Sequence, residues 1–368
     1  MFAKKTTLQG DWHVLLVIVA TLATIGLIFV YSSSSAYAFE QFGSAHYYLK
    51  KHCIGVALGV IAFYIGKFVS LQLLYTYAPL IFGGSLLLTL ATLIPSLSVT
   101  IHGSSRWLAL PGFSFQPSEL LKIAFVVYLA RLLSKQHGKQ FSFKKSYLPP
   151  LLLMACTAAV LLKQPDFGLT VTLCVTALAL LFIAELPLTY LAATCMACVP
   201  LIVLLIYKFP YRLSRIMVFL NPWEDPRGTG FQVIQSLIAI GSGSWLGSGI
   251  AHSKQKFFYL PMQHTDFIFS IIAEETGFIG VSIIIMLYVI LLYKGMKIAW
   301  QLRTPFALYT VLGCILLISL QTIINIFVAS GLFPTKGIGL PLISYGNTSL
   351  ICTLFMVGLV ANTVDHAK

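Results

Sequence analysis

Apolar runs long enough to cross a bilayer alternate with short polar segments along almost the whole of this chain. A span needs roughly 20 apolar residues, and such runs are read at 14–33, 52–70, 76–95, 116–134, 147–163, 168–185, 188–207, 266–293, 305–328 and 346–364. The pattern predicts an all-α polytopic membrane protein with about ten transmembrane helices, forming a single membrane domain over residues 1–368. One large polar interval, 208–265, falls between helices 7 and 8. Inside it, residues 229–241 are apolar but too few to span, which predicts a short interfacial or re-entrant helix.

Composition removes the soluble alternatives. Hydrophobic residues are 58% of the chain and charged residues 10%, with a mean hydropathy of +0.89, which no soluble domain of 368 residues shows. The formal net charge is +13, and no nucleic-acid partner is expected of a chain of this class. If the spans alternate, Lys4, Lys5, Lys67, Lys135, Lys139, Lys144, Lys145, Lys294, Lys297 and Arg303 fall on one side. The positive-inside rule then places both termini in the cytoplasm and the 208–265 loop outside. The other side carries Lys50, Lys51, Arg106, Lys163, Lys208, Arg212, Arg215, Arg227, Lys254, Lys256 and Lys336. Several of these sit in the long loop, which the short-loop rule does not govern, so the outer basic set needs another explanation.

Two features imitate something else. Lys4 and Lys5, an apolar run and Ala36-Tyr37-Ala38 look like a secretory signal. The run from Val14 to Val30 exceeds the usual h-region of about 7–15 residues, however, and the segment is expected to be retained. The seven cysteines lie mainly within or at the edges of spans, and Cys195-Met-Ala-Cys198 is read as small buried residues rather than as a redox or metal pair.

Against this apolar background the informative residue is Asp266, which opens the span in YLPMQHTDFIFSIIAEETGFIG. An acid at a helix centre costs roughly 2.5–3.5 kcal/mol on translocon scales, so a carboxylate beside a span is a functional candidate by default. The plainer reading is a helix cap at the positive end of the dipole. Glu119 and Lys122 stand at i,i+3 where Gln116-Pro117-Ser118 starts a helix, and they read as a structural ion pair. Arg106 has no acid nearby in sequence. Its guanidinium can grip phosphate with two parallel bonds, or anchor at the interface beside Trp107. The turn Lys163-Gln164-Pro165-Asp166-Phe167-Gly168 is accounted for by its turn residues alone. The glycines at 241, 243, 247 and 249 can bring backbone close to a ligand, which by itself is weak evidence for phosphate binding. Lys336, between Thr335 and Gly337, either snorkels to the interface or meets an anionic headgroup. With Arg106 and Asp266 it would form a pocket that holds a diphosphate beside a base.

Four segments, in this order on about ten spans, closely resemble the SEDS family over nearly the whole chain: HGSSRWLALPGFSFQPSELLK, PDFGLT, YLPMQHTDFIFSIIAEETG and GLFPTKGIGLPLISYG. The Pro-Thr-Lys-Gly form is nearer the FtsW branch than the RodA branch. The resemblance implies the SEDS fold and a peptidoglycan glycosyltransferase that polymerises lipid II on the outer face of the bacterial cytoplasmic (inner) membrane, at the division septum. It implies a class B penicillin-binding protein and other divisome proteins as partners. The family's catalytic aspartate matches Asp266, and its functional loop lysine matches Lys336. The chain departs from the family pattern at Phe258 and Met262, where the family usually has an acid eight residues before the catalytic aspartate and another in a Pro-Glu pair. Asn347 and Thr348 replace Gly-Ser after Ser344-Tyr345-Gly346.

On this reading Asp266 is the general base on the acceptor hydroxyl, and direct displacement inverts the donor's configuration. Arg106 and Lys336 are assigned to the diphosphate, with Lys254, Lys256, Arg212, Arg215, His264 and Ser344 as further substrate-binding candidates. The substrates are lipid II and an undecaprenyl-diphosphate-linked glycan. No intrinsic cofactor or protein-held metal is expected, since the loop lacks accessory acids; a divalent cation (Mg or Mn) would arrive with the substrate diphosphate. Three rivals stand beside this reading. One is a lipid II flippase, for which Glu274 and Glu275, about two turns into the Asp266 helix, are the main support. The others are a RodA-type elongation polymerase and a scaffold for division proteins, the latter needing no basic pocket.

Overall fold

The computed structural model describes residues 2–101, 104–110, 113–257 and 260–366. Its helices are α1 (Phe2–Phe42), α2 (Tyr47–Phe68), α3 (Leu71–Ala91), α4 (Pro117–Gln136), α5 (Leu148–Lys163), α6 (Phe167–Ile183), α7 (Leu188–Lys208), α8 (Pro210–Leu220), α9 (Phe231–Ser242), α10 (Ile268–Gln301), α11 (Pro305–Ala329) and α12 (Asn347–Asp365). Among the described residues, eight helical stretches are long and apolar enough to cross a membrane: α1, α2, α3, α5 with the π-helical turn Phe143–Tyr147 before it, α7, α10, α11 and α12. The protein is a multi-pass membrane protein. Two more helices fall outside that set for different reasons. α4 carries Glu119, Lys122, Arg131 and Lys135, and α6 has 17 residues. Both are inner helices, with most of α4 buried along its length.

The helical class holds, with one small addition. Residues after α3 form a three-stranded antiparallel sheet in the order β1 (Ser98–Ile101), β2 (Ser104–Leu110) and β3 (Phe113–Phe115), which delivers Arg106 to the turn between α5 and α6. β1 and β3 have only four and three residues, too few for alternation to show, and the run of β2, Ser-Ser-Arg-Trp-Leu-Ala-Leu, does not alternate. α1 also runs well past the apolar run that ends at residue 33, and Ala38 of the signal-like Ala-Tyr-Ala is fully buried in the bundle. The seven cysteines are all free; Cys314 and Cys352 are buried, but Cys195 is exposed on α7 rather than packed inside.

Close helix contact is made by small residues, as expected where lipid supplies no hydrophobic drive for association. α2 lays Gly55, Gly59 and Gly66 against α12; a methyl group on Gly66 would stand 2.6 Å from the Phe355 carbonyl oxygen. The Gly55-xxx-Gly59 spacing is a helix-packing signal that the sequence carries in plain view. At the end of the bundle that holds both termini, Asp11 is clamped by Lys294 at 2.5 Å and Lys297 at 2.9 Å, and Lys67 meets Asp365 at 3.6 Å. The side chains of Lys4 and Lys5 lie outside the described residues.

The opposite end is organised around a break in α10. Gly277 has φ 66° and ψ −168°, a conformation open essentially to glycine alone. The freed backbone groups are met by residues 244–249, which cross the break: Phe278 and Ile279 N–H donate to the carbonyls of Ser244 and Trp245 at 2.9 and 3.2 Å. Ser248 and Gly249 N–H donate to those of Glu274 and Glu275 at 2.9 and 3.1 Å. A helix interrupted beside hydrocarbon survives only when its groups are re-paired in this way. Gly243 and Gly247 therefore serve a backbone crossing, since a side chain at either would collide with α10 main chain. α9, at the position of the 229–241 apolar run, docks against this same region; Ser236 Oγ donates to the Ala329 carbonyl and is hydrogen-bonded to Ser270 Oγ, both at 2.6 Å.

Candidate active site at the Asp266 loop

Asp266 precedes α10 in a turn closed by the N–H groups of Thr265 and Phe267 on the Met262 carbonyl, at 3.1 and 3.3 Å. Met262, where the family pattern has an acid, takes a left-handed conformation with φ 55°. Asn325 of α11 donates to the carbonyls of Asp266 and Ile338 at 2.8 and 2.7 Å, joining the Asp266 loop to the loop that follows α11. Ser344 adds a second tie, its hydroxyl donating to the Thr265 carbonyl at 2.6 Å while accepting from Leu340 N–H at 2.7 Å. A Cβ on Gly337 would lie 3.5 Å from an Asp266 carboxylate oxygen, so the main chain beside Lys336 passes directly along that carboxylate.

The cationic residues then fall into place around it. The Lys336 ammonium lies over the rings of Phe333 at 4.4 Å and Phe167 at 5.0 Å. It is 8% exposed, and Nζ has no hydrogen-bond partner among the described residues. Ring faces attract an ammonium but leave its three donors unmet. Burial pushes its pKa down to about 8, with Arg215 acting the same way and Asp166 opposing. Arg215, exposed on α8, donates to the Thr335 carbonyl at 2.8 Å.

Arg106 is engaged differently from a free phosphate fork. Its Nη2 and Nε donate to the carbonyls of Pro165 and Gln164 at 2.7 and 3.3 Å, and Nη1 stands 3.6 Å from Asp166. The acid missing from its own neighbourhood comes from the turn between α5 and α6. Asp166 also caps α6, accepting from Leu169 N–H at 3.1 Å. Burial raises the Asp166 pKa, while Arg106 pulls it back. For Asp266 itself, half-buried among these groups, burial pushes the pKa up to about 7; Arg106 and Arg215 oppose the shift and Asp166 adds to it. A carboxylate whose pKa burial raises to about 7, set against the main chain next to a lysine whose ammonium has unmet donors, suits acid–base chemistry.

The sequence profile of the FtsW/RodA/SpoVE family, described as cell cycle proteins, matches residues 13–368. The chain belongs to this family. It is 41% identical over 355 residues to a probable peptidoglycan glycosyltransferase FtsW from Geobacter sulfurreducens, covering 96% of this chain and 95% of that one. It is 37% identical over 364 residues to stage V sporulation protein E from Bacillus subtilis, covering 99% and 100%. Among solved structures it resembles a chain from work on the structural coordination of polymerization and crosslinking by a peptidoglycan synthase complex, with TM-score 0.79, 31% identity and coverage of 96% and 97%. It also resembles the rod shape determining protein RodA of Thermus thermophilus, with TM-score 0.69, 27% identity and coverage of 96% and 95%.

In this FtsW/RodA/SpoVE-family chain the remaining candidates take other positions. Lys256 is buried, donating to the Ala251 carbonyl at 2.5 Å and standing 3.4 Å from Glu275. Lys254 is exposed, and its N–H donates to Glu274 at 2.8 Å. Arg212 is buried over the rings of Phe209, Tyr211 and Phe167, with Nη1 donating to the Leu205 carbonyl at 3.3 Å. His264 lies in a cluster of tyrosines beside the loop, and burial pulls its pKa down to about 4. Glu119 and Lys122 are ion-paired at 2.5 Å, with Lys122 fully buried and 3.4 Å from Gln321. Phe258 lies outside the described residues. Among the described residues, no three His, Cys, Asp or Glu side chains gather as metal ligands.

Sequence reasoning passed over Asp166, Asn325 and the purpose of Glu274 and Glu275. Glu275 accepts from Ser32 Oγ at 2.6 and 2.8 Å, Ala251 N–H at 3.0 Å and Ser253 N–H at 3.3 Å. Glu274 accepts from Ser253 Oγ at 2.5 Å, Lys254 N–H at 2.8 Å and Gln255 N–H at 3.4 Å. The pair locks the loop that precedes Asp266.

Proposed function

We propose that this protein is a peptidoglycan glycosyltransferase that polymerises lipid II into glycan strands at the outer face of the bacterial cytoplasmic membrane, in septal synthesis. The observation that carries the reading is the Asp266 carboxylate set against the main chain at Gly337, next to Lys336, whose buried ammonium has no hydrogen-bond partner among the described residues, with Arg106 and Arg215 acting on the carboxylate electrostatically. The acceptor hydroxyl oxygen bonds to the anomeric carbon of the donor as the bond from that carbon to the diphosphate oxygen breaks with its electron pair. The hydroxyl proton passes to Asp266. The departing diphosphate keeps the electron pair, and Lys336 and Arg215 face its charge. Attack from the side opposite the leaving group turns an α-linked donor into a β-linked product. A positioned base contributes about 10²–10⁴-fold and each well-aimed charge about 10²–10³-fold. Arg106 works by holding the 164–166 turn and Asp166, and so is a positioning residue.

The donor set suits an anion better than a protein-held metal, because Asp166 is already engaged by Arg106 and a helix N–H. Mg or Mn would therefore enter on the substrate diphosphate. A class B penicillin-binding protein is the partner to expect, and the likeness to a peptidoglycan synthase complex supports it. The relative named FtsW, at 41% identity against 27% for the solved RodA, favours the division branch. The transport reading loses its main support, since Glu274 and Glu275 are saturated by their own loop. The test is polymerisation of labelled lipid II by the purified protein with its partner. Asp266→Ala should abolish glycan product, and a variant that still makes long strands overturns the base assignment.

A further inference from the structure

Two unlike surfaces meet at the Asp266 loop. One is the set of cations and acids just described. The other is aromatic, built where the end of α1 and the start of α2 meet the loop. Tyr48 lies 4.4 Å from His264 and 5.1 Å from Tyr345, ring to ring, and Tyr37 lies 5.9 Å from His264. The Tyr345 N–H donates to the His264 carbonyl at 2.9 Å, which fixes these rings to the backbone two residues before Asp266. Rings of an interfacial belt face lipid, whereas these face the loop and one another, and Tyr48 and Tyr345 remain only half-buried.

Polar atoms without partners gather at the same place. His264 Nδ1 and both ring nitrogens of His52 have no hydrogen-bond partner among the described residues. His264 is 8% exposed and His52 is fully buried, its ring 6.2 Å from that of Tyr345. Native interiors rarely leave such groups unpaired and meet them with water or ligand. Flat ring faces next to imidazole nitrogens, with no lysine or arginine over the Tyr48 or Tyr345 rings among the described residues, do not match a diphosphate. They match a neutral sugar, whose C–H face stacks on aromatic rings while its hydroxyl and N-acetyl groups take hydrogen bonds.

We propose that Tyr48, His264 and Tyr345 form the acceptor-sugar subsite, holding a neutral N-acetylated hexose so that its hydroxyl reaches Asp266 while the Lys336 surface takes the donor diphosphate. The inference rests on the reading of Asp266 as the base. Its test uses a probe with neither lipid nor phosphate, chitotetraose, and the full-length protein in nanodiscs, read by saturation-transfer NMR. The wild type should transfer saturation to the sugar protons, and Asp266→Asn should do so equally. Tyr48→Phe should retain binding, whereas Tyr48→Leu, which keeps apolar bulk without a ring face, should bind roughly tenfold more weakly. In polymerisation the same substitution should raise the acceptor KM by a similar factor and leave kcat at saturating acceptor. A readout that needs no variant is nitration of Tyr48 and Tyr345, mapped by mass spectrometry, which chitotetraose should suppress in the wild type. Absence of saturation transfer in the wild type, unchanged nitration, or equal binding by Tyr48→Leu each overturns the subsite. Failure of the base assignment would show separately, as polymerase activity in Asp266→Asn with these binding signals intact.

Discussion

Asp266 and the Glu274–Glu275 pair stand in one short stretch of chain, and the protein treats them in opposite ways. The two glutamates are buried and filled with donors from Ser32, Ser253 and the backbone of residues 251–255. Among the described residues no donor bonds the Asp266 carboxylate, and burial is left to raise its pKa to about 7. A carboxylate whose lone pairs are all occupied holds structure and cannot take a substrate's proton. One left short of donors is costly to keep and ready for chemistry. Acids beside a membrane span thus divide by how completely they are satisfied, and the two kinds predict different losses.

The largest expected loss is in Asp266→Asn. The amide keeps the shape but cannot accept the proton, so polymerisation of labelled lipid II should fall by about 10²–10⁴-fold while the protein stays folded. Near wild-type synthesis would collapse the contrast. Glu275→Ala should do the reverse, removing the partner of Lys256 and of three other donors at a cost of about 3–5 kcal/mol. Its thermal midpoint should drop and the 248–256 loop should become open to proteolysis, with activity lost only as folded protein is lost. A Glu275→Ala protein of normal stability but no activity would move that acid into the catalytic class.

Lys336→Met retains the packed stem without the charge and should lower activity by about 10²–10³-fold with little change in stability. Retained activity with reduced stability would make Lys336 an anchor. The pH profile sharpens the same point. Asp266 must be deprotonated, so activity should fall as pH drops through about 7, and Lys336 must be protonated, so activity should fall again as pH rises through about 8. Lys336→Arg should push the alkaline limb upward, and an unmoved limb would remove Lys336 from the profile. The smallest effect is thermodynamic. Because the folded-state pKa of Asp266 is raised above 3.8, its ionised form costs stability once pH exceeds that value, in full above about 7. Asp266→Asn should therefore melt higher than wild type at pH 8, and the difference should disappear as pH falls toward 4.

Much of the architecture was legible because span length is dictated by the bilayer, and apolar runs announce helices such as α7, α11 and α12 almost to the residue. Asp266 and Lys336 stood out because charge is rare in such a chain. What stayed hidden depends on contacts between distant segments. Arg106 meets Asp166 only once a small sheet carries it to the α5–α6 turn, and no local pattern marks that encounter. Lys256 and Arg212 looked like substrate ligands because a sequence shows a charge without its partner, here Glu275 for one and aromatic rings for the other. Asn325 looks like any polar residue in a helix until its two carbonyl partners are placed.

The break at Gly277 also divides the length of α10 into two unequal rods. The part beyond it, 278–301, covers about 36 Å at about 1.5 Å per residue, more than the roughly 30 Å of hydrocarbon, so it is long enough to span by itself. The part before it, 268–276, is therefore not needed to complete a crossing, and its backbone is tied instead to residues 244–249. The turn that carries Asp266 thus stands on the short rod, whose position is set by protein contacts rather than by the thickness of the bilayer.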